Sequence, residues 1–159
     1  MDTKEQRPTH DGIGFKVLIA IAILLTILYL MGQTMAIFDY DFAVSIGLQE
    51  PIDEITGVGV AMNKGFGFGD TVAYIPLLIM GVWGLIKRTK LGYFCMIGAL
   101  AITIYWPMVS LPTLFYAKGT DGWRFSDYTS YTILLSLITA YGAWGLWYLF
   151  TREKELLTK

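Results

Sequence analysis

Four long apolar runs, roughly Phe15–Ile37, Thr71–Ile86, Leu91–Ala117 and Tyr128–Phe150, fill most of this 159-residue chain, and almost no charge falls inside them. The hydrocarbon core of a bilayer is about 30 Å thick and takes about 20 apolar residues at about 1.5 Å of helix rise each. Three runs reach that length. The second is shorter, and needs Gly65–Asp70 or local bilayer thinning to complete a crossing. Backbone in lipid must satisfy its own polar groups, so such runs read as helices. The expected fold class is all-α: a polytopic membrane protein, one domain folded as a bundle of four transmembrane helices. The spans fall at about 15–37, 68–86, 91–117 and 128–150, with a partly structured extracytoplasmic segment, 38–70, between helices one and two.

Charged residues make up 16% of the chain, against about 25% in soluble domains. A net charge of −1 argues against nucleic acid as a partner. Cys95 is the single cysteine, which excludes an internal disulfide, a CxxC redox pair and a multi-cysteine metal site. The only histidine is His10, which excludes bis-histidine haem and a His-rich zinc or di-iron site supplied by this chain alone. No cofactor or metal is expected.

Orientation follows from lysine and arginine. Lys4, Arg7, Lys16, Lys87, Arg88, Lys90, Arg152, Lys154 and Lys159 fall on one side of four crossings, and only Lys64, Lys118 and Arg124 on the other. Nine against three places both termini and the Lys87–Lys90 turn in the cytoplasm of a cell-membrane protein. The first run exceeds the usual 7–15 residue core of a signal peptide, so it is expected to stay as a helix.

The N-terminal residues 1–14 are polar and, with Pro8, Gly12 and Gly14, are expected to lack regular structure. The 38–70 segment is acidic yet carries Phe42, Val44, Ile46, Leu48, Ile55, Val58 and Val60, more apolar surface than a disordered loop holds. It is expected to fold back as short helical or re-entrant pieces, with a helix start at Pro51-Ile52-Asp53-Glu54. The run Gly65-Phe66-Gly67-Phe68-Gly69-Asp70 reads as a tight turn, with Asp70 capping helix two and Pro76 kinking it. Its spacing matches neither GxxxxGK[ST] nor GxGxxG. Pro107 and Pro112 predict a bend or a broken end in helix three. Gly81 with Gly84, Gly98 with Ala101, and Gly142 with Gly145 offer small faces for close helix approach.

The Asp39-Tyr40-Asp41 and Asp53-Glu54 groupings lack EF-hand spacing and read as a solvated acidic face. Cys95 reads as a packing residue. The aromatic, proline-rich outer half of helix three is the best candidate for a ligand cavity: Tyr105, Trp106, Ser110 and Thr113, with Tyr131 and Gln33 from neighbouring helices. Apolar walls with a few polar groups are the usual make-up of such sites. The alternative is an interfacial aromatic belt on a kinked packing helix. Asp70 is the one acid at the edge of a span, and intramembrane acids commonly mark functional sites.

Gly47-Leu48 with Pro51, Asp70 ahead of Leu77-Leu78 and Gly81, Gly84-Leu85, Arg88, and Met96 before Gly98-Ala99-Leu100 make Ile46–Leu100 resemble the DoxX-like group of small four-helix membrane proteins. Asp70 takes the place where that family usually has Glu. The resemblance covers about a third of the chain and implies four spans with a long first outer loop, and association with respiratory or thiol-redox membrane complexes. It brings no catalytic residue with it.

Three functions follow as expectations. The first is a non-catalytic subunit or scaffold of a homo-oligomer or larger membrane complex, resting on the missing catalytic constellations. The second is binding or transport of a small apolar molecule, a lipid or quinone, at Gln33, Asp70, Tyr105, Trp106, Ser110, Thr113 and Tyr131. The third is a membrane enzyme acting on such a molecule with Asp70 as its acid–base group.

Overall fold

The computed structural model describes residues 12–125 and 127–157. Of the stretch 1–14 expected to be irregular, residues 1–11 lie outside the described residues, as do the topology signals at Lys4, Arg7 and Lys159; Ile13 and Gly14 are instead helical, because the apolar run recruits them as its first turn. Four helices are long and apolar enough to cross a membrane: α1 (Ile13–Phe38), α3 (Ile52–Ile86), α4 (Lys90–Ala117) and α5 (Tyr128–Leu157). A short helix, α2 (Tyr40–Ser45), follows α1, and the Asp39 carboxylate caps it by accepting the Phe42 amide at 2.9 Å. No strand occurs among the described residues.

Each long helix turns one stripe inward at a spacing of three to four residues. Leu18, Ala22, Leu25 and Tyr29 supply it on α1, Met96, Ala99, Leu100 and Thr103 on α4, and Gly142, Gly145 and Leu149 on α5. Large apolar side chains point outward as well, among them Leu24, Trp83, Phe94 and Leu137.

The connection between α3 and α4 is built from both sides at once. Arg88 adopts a left-handed φ of 56°, the Thr89 amide donates to the Gly84 carbonyl at 2.9 Å, and the Arg88 amide donates to Leu85 at 3.1 Å. This is the Schellman arrangement, which satisfies carbonyls that a helix end leaves open. The Thr89 hydroxyl then accepts the Gly92 amide at 3.1 Å and caps α4. The backbones touch immediately beyond: a Cβ on Gly84 would lie 2.3 Å from Gly92 Cα. A Cβ on Gly81 would lie 3.0 Å from the Met96 backbone, and Gly142 and Gly145 admit Ile104 and Leu100. Only a residue without a side chain fits at Gly84 and Gly92.

Local expectations give way at Gly65–Asp70 and at the outer end of α4. Gly65–Asp70 is not a turn: helix runs through it, and Asp70 has helical backbone angles (φ −64°, ψ −40°) rather than those of a cap. The reason lies at Gly67, where a Cβ would stand 2.5 Å from the Gln33 carbonyl oxygen, so the glycine serves close approach of α1. Pro76 is taken up by a π-helical turn at Asp70–Tyr74 just before it, whose wider spacing accommodates the missing donor. α4 runs through Pro107 and Pro112 to Ala117, so its outer end is not broken. The expected helix start at Pro51-Ile52-Asp53-Glu54 is present, with Asp53 and Glu54 in the first turn.

Candidate functional site

Two features of the backbone prepare the end of the bundle opposite the Lys87–Lys90 turn. α1 and α3 each contain one π-helical turn, Leu30–Thr34 and Asp70–Tyr74, and the two turns face each other. The Thr34 and Thr71 hydroxyls join across them at 2.8 Å, and Thr71 also bonds the Gly67 carbonyl. Such turns are rare and leave irregular carbonyls in a helix wall. Around them lies a polar layer: Tyr74 pairs with the Thr103 hydroxyl at 2.7 Å, Tyr29 meets Tyr74 edge-to-face at 4.7 Å, and Asp70 is only 7% exposed. Asp70 Oδ2 and Gln33 Oε1 are buried without a hydrogen-bond partner.

The second feature is Thr56, near the start of α3, with φ 67° and ψ 168°. A β-branched residue there is strained, and such strain collects at functional sites. Contacts hold the kink in place: the Arg124 amide donates to the Glu54 carbonyl at 2.7 Å, and Gly122 leaves just enough room for the Thr56 methyl. The stretch 118–125 is thereby tied to α3.

Above the polar layer α3 and α4 part, and a cavity of about 200 Å³ opens between them. Its walls are Leu48, Ile55, Met62, Phe66, Val109 and Leu114, with aromatic rings from Trp106, Trp123, Phe125 and Tyr131. Phe125 is fixed against Tyr131 at 4.8 Å, and Trp123 donates its indole N–H to Tyr128 at 3.0 Å.

One wall is a connected polar cluster. Asn63 Nδ2 lies 2.9 Å from both Gln49 Oε1 and Glu50 Oε2, so its two hydrogens are taken. The Tyr131 hydroxyl donates to Glu50 Oε1. Gln49 Nε2 donates to the Gly32 carbonyl at 3.3 Å, and Tyr40 donates to the Glu50 carbonyl at 2.9 Å. Burial pushes the Glu50 carboxyl above the usual carboxylate range, with Asn63 pulling the other way. No lysine or arginine among the described residues forms an ion pair with Glu50.

Of the residues singled out from sequence, Gln33, Trp106, Ser110, Thr113 and Tyr131 line this cavity. Tyr105 does not: it is 67% exposed, one helical position away from Trp106 and facing outward. Asp70 is also outside the lining, one turn further along α3 than Phe66. Sequence reasoning missed Gln49, Glu50, Asn63, Trp123 and Phe125. Asn63 is the only asparagine in the chain, a signal that was there to be used. The geometry offers an apolar, aromatic enclosure with one acceptor-rich wall, and no nucleophile–base pair touches it.

Compared with family models, curated proteins and solved structures, the chain matches none.

Proposed function

We propose that this is an integral membrane protein that binds a small amphipathic molecule in the cavity between α3 and α4, without transforming it. Both termini and the Lys87–Lys90 turn lie in the cytoplasm, which puts the cavity in the outer half. Outward-facing Leu24, Trp83, Phe94 and Leu137 on four long apolar helices support insertion, and the nine-to-three distribution of basic residues supports the orientation.

The observation that carries the binding reading is the combination of apolar enclosure and a satisfied polar cluster centred on Glu50 and Asn63. A half-buried carboxylate and amide are costly to maintain where packing is the only purpose. The small-residue faces Gly81, Gly84, Gly142 and Gly145 are occupied by contacts inside the chain and so lend the scaffold reading no docking surface. An enzyme using Asp70 has little support, since Asp70 does not reach the cavity. The DoxX-like resemblance adds a setting, a respiratory or thiol-redox membrane complex, and no residue.

Native mass spectrometry of protein extracted in mild detergent tests the reading. One amphiphile retained per chain is expected, and its loss in Val109→Trp, which fills the cavity. Circular dichroism checks that the variant stays helical, and Ser110→Trp repeats the test from one residue on. Wild-type protein without an adduct, or adducts unchanged in both variants, would overturn it.

A further inference from the structure

We infer that the cavity selects an amphiphile whose polar head is a protonated amine. The inference rests on the binding reading above and names the chemical class that this site takes.

Glu50 is the only formally charged residue in the lining, and no Lys, Arg or His shares the wall. A cavity with that charge disfavours carboxylate, sulfate and phosphate heads, because low-dielectric walls strengthen like-charge repulsion. Charge, more than the hydrogen-bond inventory, separates the remaining classes. Several donors are committed inside the protein: Asn63 Nδ2 to Gln49 and Glu50, Gln49 Nε2 to Gly32, Tyr131 to Glu50, Thr113 to Val109, and the Trp123 indole to Tyr128. The Gln33 amide, the Trp106 indole and the Ser110 hydroxyl also line the space and can donate to a carbonyl-bearing head such as a quinone, but a neutral head leaves the Glu50 charge uncompensated.

Acceptors are in surplus. Gln33 Oε1 is buried and unpartnered. Glu50 accepts two hydrogen bonds, where an ionised carboxylate has about four lone-pair positions. An alkylammonium supplies donors and positive charge together. Trp106, Trp123, Phe125 and Tyr131 line the same space, and ring faces attract a cation. Burial first, and Glu54 in addition, raise the Glu50 carboxyl, and an ammonium beside it acts in the opposite sense.

The test is a titration of the full chain in nanodiscs with octylamine, octanol and octanoate, followed by saturable change in tryptophan emission. Octylamine is expected to bind at least about tenfold tighter than octanol, with octanoate weakest. In Glu50→Gln the preference disappears and octylamine falls to the affinity of octanol. Equal binding of octylamine and octanol by the wild type, or an amine preference that survives Glu50→Gln, overturns the inference and leaves the cavity reading standing. If none of the three probes saturates, both fall. The wild-type comparison stands whether or not the variant folds.

Discussion

The two ends of the bundle are put together on opposite terms. Next to the Lys87–Lys90 turn, α3 and α4 meet backbone to backbone at Gly84 and Gly92, with Leu78, Leu85 and Met96 fully enclosed around them. At the other end the same helices separate, and the space is framed by a kink at Thr56, two π-turns and a hydrogen-bonded cluster on Glu50. Helices in lipid gain little from hydrophobicity when they pair, so their association depends on van der Waals fit and hydrogen bonds. Fit is concentrated where it leaves no room, and polar bonds where room is kept. Strain and unpaired polar atoms are tolerated at the open end because the closed end holds the helices together.

Breaking the closed end is expected to have the largest effect. Gly84→Ala puts a methyl group into the Gly92 backbone, and neither side can rotate away. A loss of about 3 kcal/mol is expected, read as a large drop in thermal midpoint in detergent; a midpoint like that of the wild type would mean that the helices are not this close. Gly67→Ala presses on the Gln33 carbonyl at the π-turns instead, where neighbouring backbone is already irregular. It is expected to cost about 2 kcal/mol and to weaken retention of an amphiphile as well, a coupling that Gly84→Ala has no direct reason to show.

These two glycines also mark the limit of what the sequence disclosed. Length and lack of charge were enough to locate four helices, since nothing else satisfies so long an apolar backbone. Glycine was ambiguous. Gly65–Asp70 has the composition of a turn, yet Gly67 is there for proximity to Gln33, a residue 34 positions earlier that only the fold brings near. The cavity was half legible for the same reason. Trp106, Ser110 and Thr113 sit on one helix and could be grouped by spacing. Glu50 has its partners 13 and 81 residues away, at Asn63 and Tyr131, so no local pattern announces the cluster. Tyr105 was misplaced because its neighbour Trp106 faces the other way.

At the open end smaller effects are expected. Tyr131→Phe removes the hydroxyl that Glu50 accepts from and should cost about 1.5 kcal/mol, with a lower thermal midpoint and weaker octylamine binding. Thr56→Gly should act in the opposite sense: at φ 67° and ψ 168° the backbone suits glycine alone, and relief of strain is expected to raise stability by about 1 kcal/mol. A loss of stability there would show that the Thr56 methyl contact with Gly122 outweighs the backbone.

The smallest effect concerns pH. Glu50 is raised above its ordinary value by burial first and by Glu54 in addition, against the pull of Asn63. A carboxyl raised on folding contributes stability that is fully present below its unfolded value and is lost as pH rises through its folded value. Tyr40 and Tyr131 contact Glu50, and burial raises the Tyr40 hydroxyl further from that range. Thermal midpoints of the empty protein should therefore fall as pH rises through and beyond the ordinary carboxylate range, and Glu50→Gln should flatten that slope. A slope unchanged by the substitution would assign it to another group.

The central claim is that an amphiphile resides between the parted halves of α3 and α4. Photo-crosslinking with an octylamine carrying a diazirine on its chain, followed by peptide mapping, tests it most directly. Labels concentrated on Met62, Val109 and Thr113, which line the cavity, and abolished by excess octylamine are the result expected. Labels spread over the outward-facing Leu24, Trp83 and Leu137, with no competition, would contradict the account.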